Sequence, residues 1–381
     1  MRLLCFQEFN FEKENMSTEI KSTEFYTHND ETALEAKEKA QHIAFAPVVF
    51  QASRVLRDSG ILTAVDQSGE SGIRLDDIVQ QVNLPLYGVR VLLESGLSIG
   101  LVLYREGKYF LTKTGHFILH DELTRTNMDF IHDVCYLGLF TLDKSVQTGK
   151  PDGLKVFGTW NTIYQALSQL PAHVQKSWFA FDHFYSDNAF PRALKEVFKN
   201  SPSNLLDIGG NTGKWAIACA GYDSNVEVSI MDLPGQLEMA KRKISEAGLQ
   251  DRIHFHQANI LDENQLFPKG FDAIWMSQFL DCFSEKEIIS ILKRCLGALS
   301  GKGRVYILEP FWDRQRFETA SFCLQQTSLY FTSMANGNSQ MYHSGTFLEC
   351  VNQAGFEVEK EVDEIGLSHT LLILRKKNSI Q

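Results

Sequence analysis

Apolar residues recur at three- and four-residue intervals between Glu31 and Gly60. The stretch ALEAKEKAQHIAFAPVVFQASRVLRDSG therefore predicts one or two helices, closed by the glycine. Between Ile73 and Leu119 the period changes twice. Helical spacing runs up to Val82, breaks at Asn83 and Pro85, and resumes from Leu86 to Gly96. Two short apolar strands then flank Arg105-Glu106-Gly107-Lys108, the tip of a hairpin. Helix, turn, helix, strand, turn, strand is a winged-helix pattern.

Residues 121–203 read as largely helical and rich in aromatics, most densely in KSWFAFDHFYSDNAFPRALKEVF. From Asn204 onward short apolar strands alternate with helical stretches: NLLDIGG, VEVSIMD, RIHFHQANI, FDAIWMSQFL and GRVYILEPF, with FEVEKEV and HTLLILRK near the end. Such alternation predicts an α/β domain around a mostly parallel sheet covered on both faces. The last two strands, close together around Gly366, should pair antiparallel. The expected organisation is a loose arm at 1–30, in which Met16 offers a second start, then a winged-helix unit at 31–120. A helical linker and pocket region at 121–203 and an α/β domain at 204–381 complete it.

Composition narrows the partners. Apolar residues are 44% and charged residues 22% of the 381, the balance of a folded globular chain rather than a disordered or collagen-like one. A net charge of −10 argues against a phosphate backbone as main partner, because such affinity comes from Lys and Arg displacing counterions. The second helix of the winged unit offers only Arg90, beside Glu94, so its expected use is dimerisation through apolar faces, with no nucleic acid. No run of 18 apolar residues exists, and MRLLCFQEFNFEKEN is too acidic for a secretory signal. A cytoplasmic protein without a membrane partner is expected. Seven scattered cysteines with no C-x-x-C give neither a disulfide framework nor a zinc site, and no metal is expected. The outlier is the aromatic content, 27 Phe with 11 Tyr and 5 Trp.

The strongest chemical signal is LLDIGGNTGKWAIACA, with Gly209, Gly210 and Gly213 between a strand and its helix. A phosphate-binding P-loop fails here, since its first glycine would fall on Ile208 and its hydroxyl on Trp215. A dinucleotide fingerprint is weak, with Asn211 and Lys214 at its second and third glycines. DIGGNTG resembles the loop of class I methyltransferases that use S-adenosylmethionine (SAM). It departs from that loop at Asn211, a residue type able to adopt the left-handed backbone the turn needs. The resemblance implies that Asp207 holds the SAM amino group while Gly209, Gly210 and Gly213 admit the backbone. Asp232, ending the second strand and followed by Leu233 and a proline, would take the ribose hydroxyls. Asn259 and Ile260 stand where the family contacts adenine, and Gln278 and Ser186 complete the cofactor set.

The order of a winged helix, a helical linker and a SAM domain over roughly residues 35–377 resembles the plant and bacterial small-molecule O-methyltransferases. These are homodimers whose substrates are mostly phenols, flavonoids and aromatic polyketides. The fold implied is a Rossmann-like, mostly parallel seven-stranded sheet behind an α-rich winged-helix dimerisation domain. The reaction implied is transfer of a methyl group to a small aromatic acceptor, free or carrier-bound, by O-methylation.

The family's catalytic His lies in a motif like L-H-D-W-S-D-E. Here FLDCFSEKE places Asp281 at the His, Cys282 at the Asp and Phe283 at the Trp. One supporting acid survives as Glu309 in VYILEPF, while Met341 and Tyr342 replace the stretch that carries the other. Asp281, His183 and His343 are the candidate bases. Asp281 suits the role if burial raises its pKa. Tyr330, Trp178, Phe279 and Met334 are candidates for the pocket wall. Loss of the His leaves C-methylation of a hydroxylated ring as an alternative. A drifted, non-catalytic SAM binder and a winged-helix regulator remain as readings from other classes.

Overall fold

The computed structural model describes residues 25–377. Most of the expected arm, with Met16, lies outside the described residues. Its last part is not loose: the Tyr26 hydroxyl donates to Ser321 Oγ at 3.0 Å and the ring packs edge-on against Trp312.

The N-terminal unit begins with one helix, α1 (Ala33–Asp58), which contains Pro47. Thr32 caps it by accepting from the Glu35 amide while Glu35 accepts from the Thr32 amide, so two of the free N–H groups of the first turn are satisfied. Then come α2 (Ile61–Gln67), α3 (Leu75–Val82) and α4 (Leu86–Ser98), and the antiparallel hairpin of β1 (Val102–Arg105) and β2 (Lys108–Leu111). Glu106 and Gly107 form its tip with φ of 50° and 75°, the sign that matches a two-residue turn to strand twist. Leu56, Ile61, Leu62, Ile78, Val89 and Leu93 are fully buried between these elements. Along α1, by contrast, Leu34, Ile43, Phe45 and Val48 are each at least 60% exposed.

The N-terminal unit closes with α5 (Lys113–His120), whose Leu119 joins the unit's core. The linker comprises α6 (Glu122–Phe130), α7 (Leu142–Thr148), α8 (Ile163–Ala166), α9 (Ala172–Asp187) and α10 (Phe190–Val197). Its core joins Phe130, Val134, Leu154 and Leu167 to Tyr330 and Phe331 of the C-terminal domain, so the linker is packed onto that domain rather than spanning a gap.

The C-terminal domain runs β3 (Asn204–Ile208), α11 (Lys214–Tyr222), β4 (Glu227–Asp232), α12 (Pro234–Glu246), β5 (Ile253–Gln257), β6 (Phe271–Ser277), α13 (Glu285–Ala298) and β7 (Leu299–Pro310). It ends with α14 (Glu318–Tyr330), α15 (Ser344–Gln353), β8 (Phe356–Ile365) and β9 (His369–Lys376). The sheet order is β5-β4-β3-β6-β7-β9-β8, with β9 antiparallel to both its neighbours and the other pairs parallel. Leu205 and Leu206, adjacent on β3, are both fully buried on opposite faces, which is why the strands read as apolar runs rather than alternations. The chain leaves β3 outward through β4 and β5, then returns to place β6 on its other side. This switch opens a crevice at the carboxyl ends of β3 and β6. No helix among the described residues is long and apolar enough to cross a membrane.

Candidate active site

The crevice is walled on one side by the loop from β3 to α11. Asp207 ends buried, Gly209 has φ of 76° and Gly213 of 79°, and Asn211 takes φ of 48°. The left-handed turn therefore survives its asparagine. The Asn211 amide donates to Asp232 Oδ2 at 2.8 Å and its side-chain Nδ2 to Asp182 Oδ2 at 3.1 Å, so this residue ties the loop to β4 and to α9. A Cβ on Gly209 would stand 2.2 Å from the Phe279 ring, and one on Gly210 2.6 Å from Asp207. Gly213 does not line the cavity. Its φ of 79° is what a side chain would strain, and a Cβ there would also stand 3.2 Å from Ile244 and 3.4 Å from Ala240.

Asp232 accepts from the amides of Leu233 (2.7 Å) and Asn211 (2.8 Å), yet burial outweighs both bonds and holds its carboxyl up at about 6. Asp207 is pushed well above the usual carboxylate range by burial and then by the charge of Asp232. Beside Asp232 a second recess is bordered by Leu233, Asn259, Ile260 and Phe279. Asn259 is exposed, and its Oδ1 accepts from the Leu261 amide at 3.2 Å.

The opposite wall begins after β6. Gln278 has φ of 46° and its amide donates to Leu308 O, turning the chain back under the cavity. Glu309 Oε1 then accepts from the Phe279 (3.0 Å) and Leu280 (2.8 Å) amides. Glu309, expected as a supporting acid, is buried and does not border the cavity. It lies beneath the loop and fixes the turn that presents Asp281. Asp281 is 4% exposed, lines the cavity and is raised to about 7 by burial, against the lowering pull of the Cys282 thiol, which donates to it at 3.3 Å.

Aromatic side chains close this half. Phe130 stacks on Phe181 at 4.0 Å, and Trp178 Nε1 donates to the Tyr330 hydroxyl at 2.8 Å. Trp178, Phe181, Tyr330 and Phe279 line the cavity, but Met334 does not. It is fully buried against Gly138, and Met341 takes a place in the wall instead. His183 and Ser186 are in the wall, His183 3.5 Å from Thr212 Oγ1 and pushed down to about 4, first by burial and then by Lys214. It is neutral at pH 7. His343 is outside: its Nδ1 accepts from the Gly345 amide at 2.9 Å as the cap of α15, and its ring meets Trp312 edge-on. Ser344, the first residue of that helix, donates its hydroxyl to Asp313 Oδ2 at 2.6 Å.

The residue the sequence reading passed over is Asp182. It lines the cavity and is held up at about 7 by burial and by Asp281. The signal was available: Trp178, Asp182 and Ser186 are spaced four apart and share one face of α9. Away from the crevice, Asp66, His116 and His120 bring ligand atoms within 4.8 Å of one another on the N-terminal unit, where Asp66 and His120 are already bonded at 2.9 Å.

The cavity together with the open space at its mouth measures about 1270 Å³. Asp207 Oδ2, Trp215 Nε1, Ser277 Oγ and Gln278 Oε1 border it buried and without a partner among the described residues. Acceptors and a donor of that kind are costly to bury alone, and they suit a cofactor with an amine, hydroxyls and a carboxylate.

Residues 141–357 match the O-methyltransferase domain model, and residues 37–109 match a dimerisation2-like domain. The L-tyrosine C(3)-methyltransferase of Streptomyces lavendulae is 25% identical over 293 residues, covering 75% of this chain and 79% of that one. Among solved structures, the apo form of the S-adenosylmethionine-dependent methyltransferase SibL superposes with a TM-score of 0.67 at 22% identity, over 88% of this chain and 98% of that one. The O-methyltransferase NcsB1 from neocarzinostatin biosynthesis, in complex with SAM and 2-hydroxy-5-methyl naphthoic acid, gives 0.66 at 18%, over 86% and 96%. These structural likenesses carry the fold.

Proposed function

Because the chain belongs to the O-methyltransferase domain family, whose model spans residues 141–357, we propose that it methylates a flat phenolic acceptor held between α9 and the loop after β6. The family's methyl donor is SAM, which supplies a methyl group already activated on a sulfonium. The observation that carries the proposal is one cavity with two chemically unlike walls. Acids and backbone at the β3 and β4 ends suit a cationic cofactor, while Trp178, Phe181 and Tyr330 suit a flat ring.

In this reading Asp207 and Gly210 hold the amino-acid end of the cofactor, and Asp232 the ribose. The recess beside Leu233, Asn259 and Ile260 takes the adenine, and Ser186 and Gln278 close over the rest. Asp281 receives the phenol proton. With its carboxyl near 7 it is a matched base for a reaction at neutral pH, where an ordinary aspartate would be too weak. The aromatic wall keeps water from competing and fixes the ring, so proximity and orientation carry most of the acceleration. The dimerisation2-like match and the exposed apolar residues of α1 support a homodimer.

A second reading is C-methylation of a hydroxylated ring, with the ring carbon beside the phenolate as nucleophile and a carboxylate removing the ring proton. It is favoured by Asp281 in place of the His and by a relative that bears that activity in its name. Single-turnover incubation with methyl-labelled SAM and a panel of free phenols tests both. The carbon resonance of the product separates a methoxy from a ring methyl, and transfer to no acceptor sinks the proposal.

A further inference from the structure

The cavity holds more acid than its cofactor answers. Asp182, Asp187, Asp207, Asp232 and Asp281 line it, and the basic groups facing them are Lys214, paired with Asp187, and His183, which is neutral. SAM brings a sulfonium, an ammonium and a carboxylate, a single net positive charge. Asp207, on the glycine-loop side, faces the ammonium, and Asp232 the ribose hydroxyls. Asp182 and Asp281 remain, one from α9 and one from the loop after β6.

Withdrawing a carboxylate from water with no counter-charge is expensive, and keeping two in each other's field more so. Both are held up at about 7 for that reason, Asp182 by burial and then by Asp281, Asp281 by burial. Asp182 Oδ2 accepts from Asn211, while no described group donates to its Oδ1. The Tyr164 hydroxyl, buried and without a partner among the described residues, borders the same cavity and can accept from an ammonium. The ring of Trp178, which also lines the cavity, is the other feature a cation would find there.

We propose that the acceptor is a phenol bearing a protonated amine, with Asp182 holding the ammonium and Asp281 facing the phenol oxygen. The proposal rests on the methyl-transfer reading for the role of the phenol. The ammonium site itself is read from the surplus acid.

Calorimetry with saturating S-adenosylhomocysteine tests it, using tyramine and its neutral counterpart 4-(2-hydroxyethyl)phenol as probes. Tyramine should bind at least about tenfold more tightly, the range of one charge-assisted hydrogen bond. In Asp182→Asn that preference should fall to about threefold or less, with affinity for S-adenosylhomocysteine kept within about twofold. Tyramine binding no better than the alcohol, including no binding of either, overturns the proposal. So does a variant that loses the cofactor analogue while keeping the preference for the amine, since Asp182 would then serve the cofactor. The wild-type comparison needs no variant and stands even where Asp182→Asn fails to fold. Methyl transfer is scored separately: an amine preference without transfer to either probe would fail the enzymatic reading and leave the ammonium site standing.

Discussion

The glycine-loop wall of the cavity and the wall made by α9 and the loop after β6 are built from different materials. On the first, backbone does the shaping. Gly209 gives way to the Phe279 ring, Asn211 supplies a left-handed residue, and Asp232 is fixed by two amides before any ligand arrives. On the second, side chains decide. Glu309 holds the turn from below as an acid in the family's position would, but the groups presented upward are Asp281, Cys282 and Phe283. A wall that must fit one invariant cofactor is constrained in its backbone. A wall that meets the acceptor can exchange a His for an Asp once burial brings the acid to a useful pKa.

The sharpest way to break this comparison is to remove the acid on the acceptor side. Asp281→Asn should lower turnover by about a hundredfold or more, the usual weight of a general base, while SAM affinity changes little. The pH profile gives the sign. A base must be deprotonated, so turnover in the wild type should rise with pH through about 7 and level off above it, and the asparagine variant should lose that limb. His183→Ala should keep it, because His183 titrates near 4. A rising limb at 7 that survives in Asp281→Asn would assign the base elsewhere.

On the cofactor side Asp232→Ala should weaken SAM by about 1.5–3 kcal/mol in calorimetry, from loss of hydrogen bonds to a charged acceptor. The loop also loses the anchor of the Asn211 amide, so part of that loss should appear as lower thermal stability without ligand. Unchanged SAM affinity would mean that the end of β4 is scaffold only. Asn211→Ala should cost about 1–2 kcal/mol of stability, because alanine at φ of 48° is strained and the bond to Asp182 goes. Asn211→Gly should recover the strained part only, since the bond to Asp182 is lost there too.

The same division explains what could be read in the sequence. Strands of the sheet announce themselves because burial on both faces leaves runs such as LLDI and AIWM, and the loop because a left-handed turn admits few residue types. The acceptor wall is assembled from α6, α8, α9, α14 and the loop after β6, far apart in the chain, and no local period tells which of many Phe and Tyr point inward. Met334 and Met341 are the instructive pair: seven residues apart and alike in chemistry, one packs against Gly138 and the other lines the cavity. Gly213 shows what a motif leaves unsaid: besides its left-handed φ of 79°, the glycine lets α11 approach Ile244 and Ala240 of α12.

The smallest expected effect concerns His343, an imidazole near the altered family stretch that geometry removes from the chemistry. Its Nδ1 already accepts from the Gly345 amide, which requires the proton on Nε2, the nitrogen that lies 3.6 Å from Asp313. An imidazole fixed in that way has no free basic nitrogen to offer a phenol, and its ring rests against Trp312 rather than in the cavity. His343→Ala should therefore cost about 1 kcal/mol of stability, as the loss of a helix cap does, and leave turnover and its pH profile as in the wild type. A fall in turnover at unchanged stability would place His343 in the reaction and would dissolve the contrast between the two walls, since a base would then reach the acceptor from outside both.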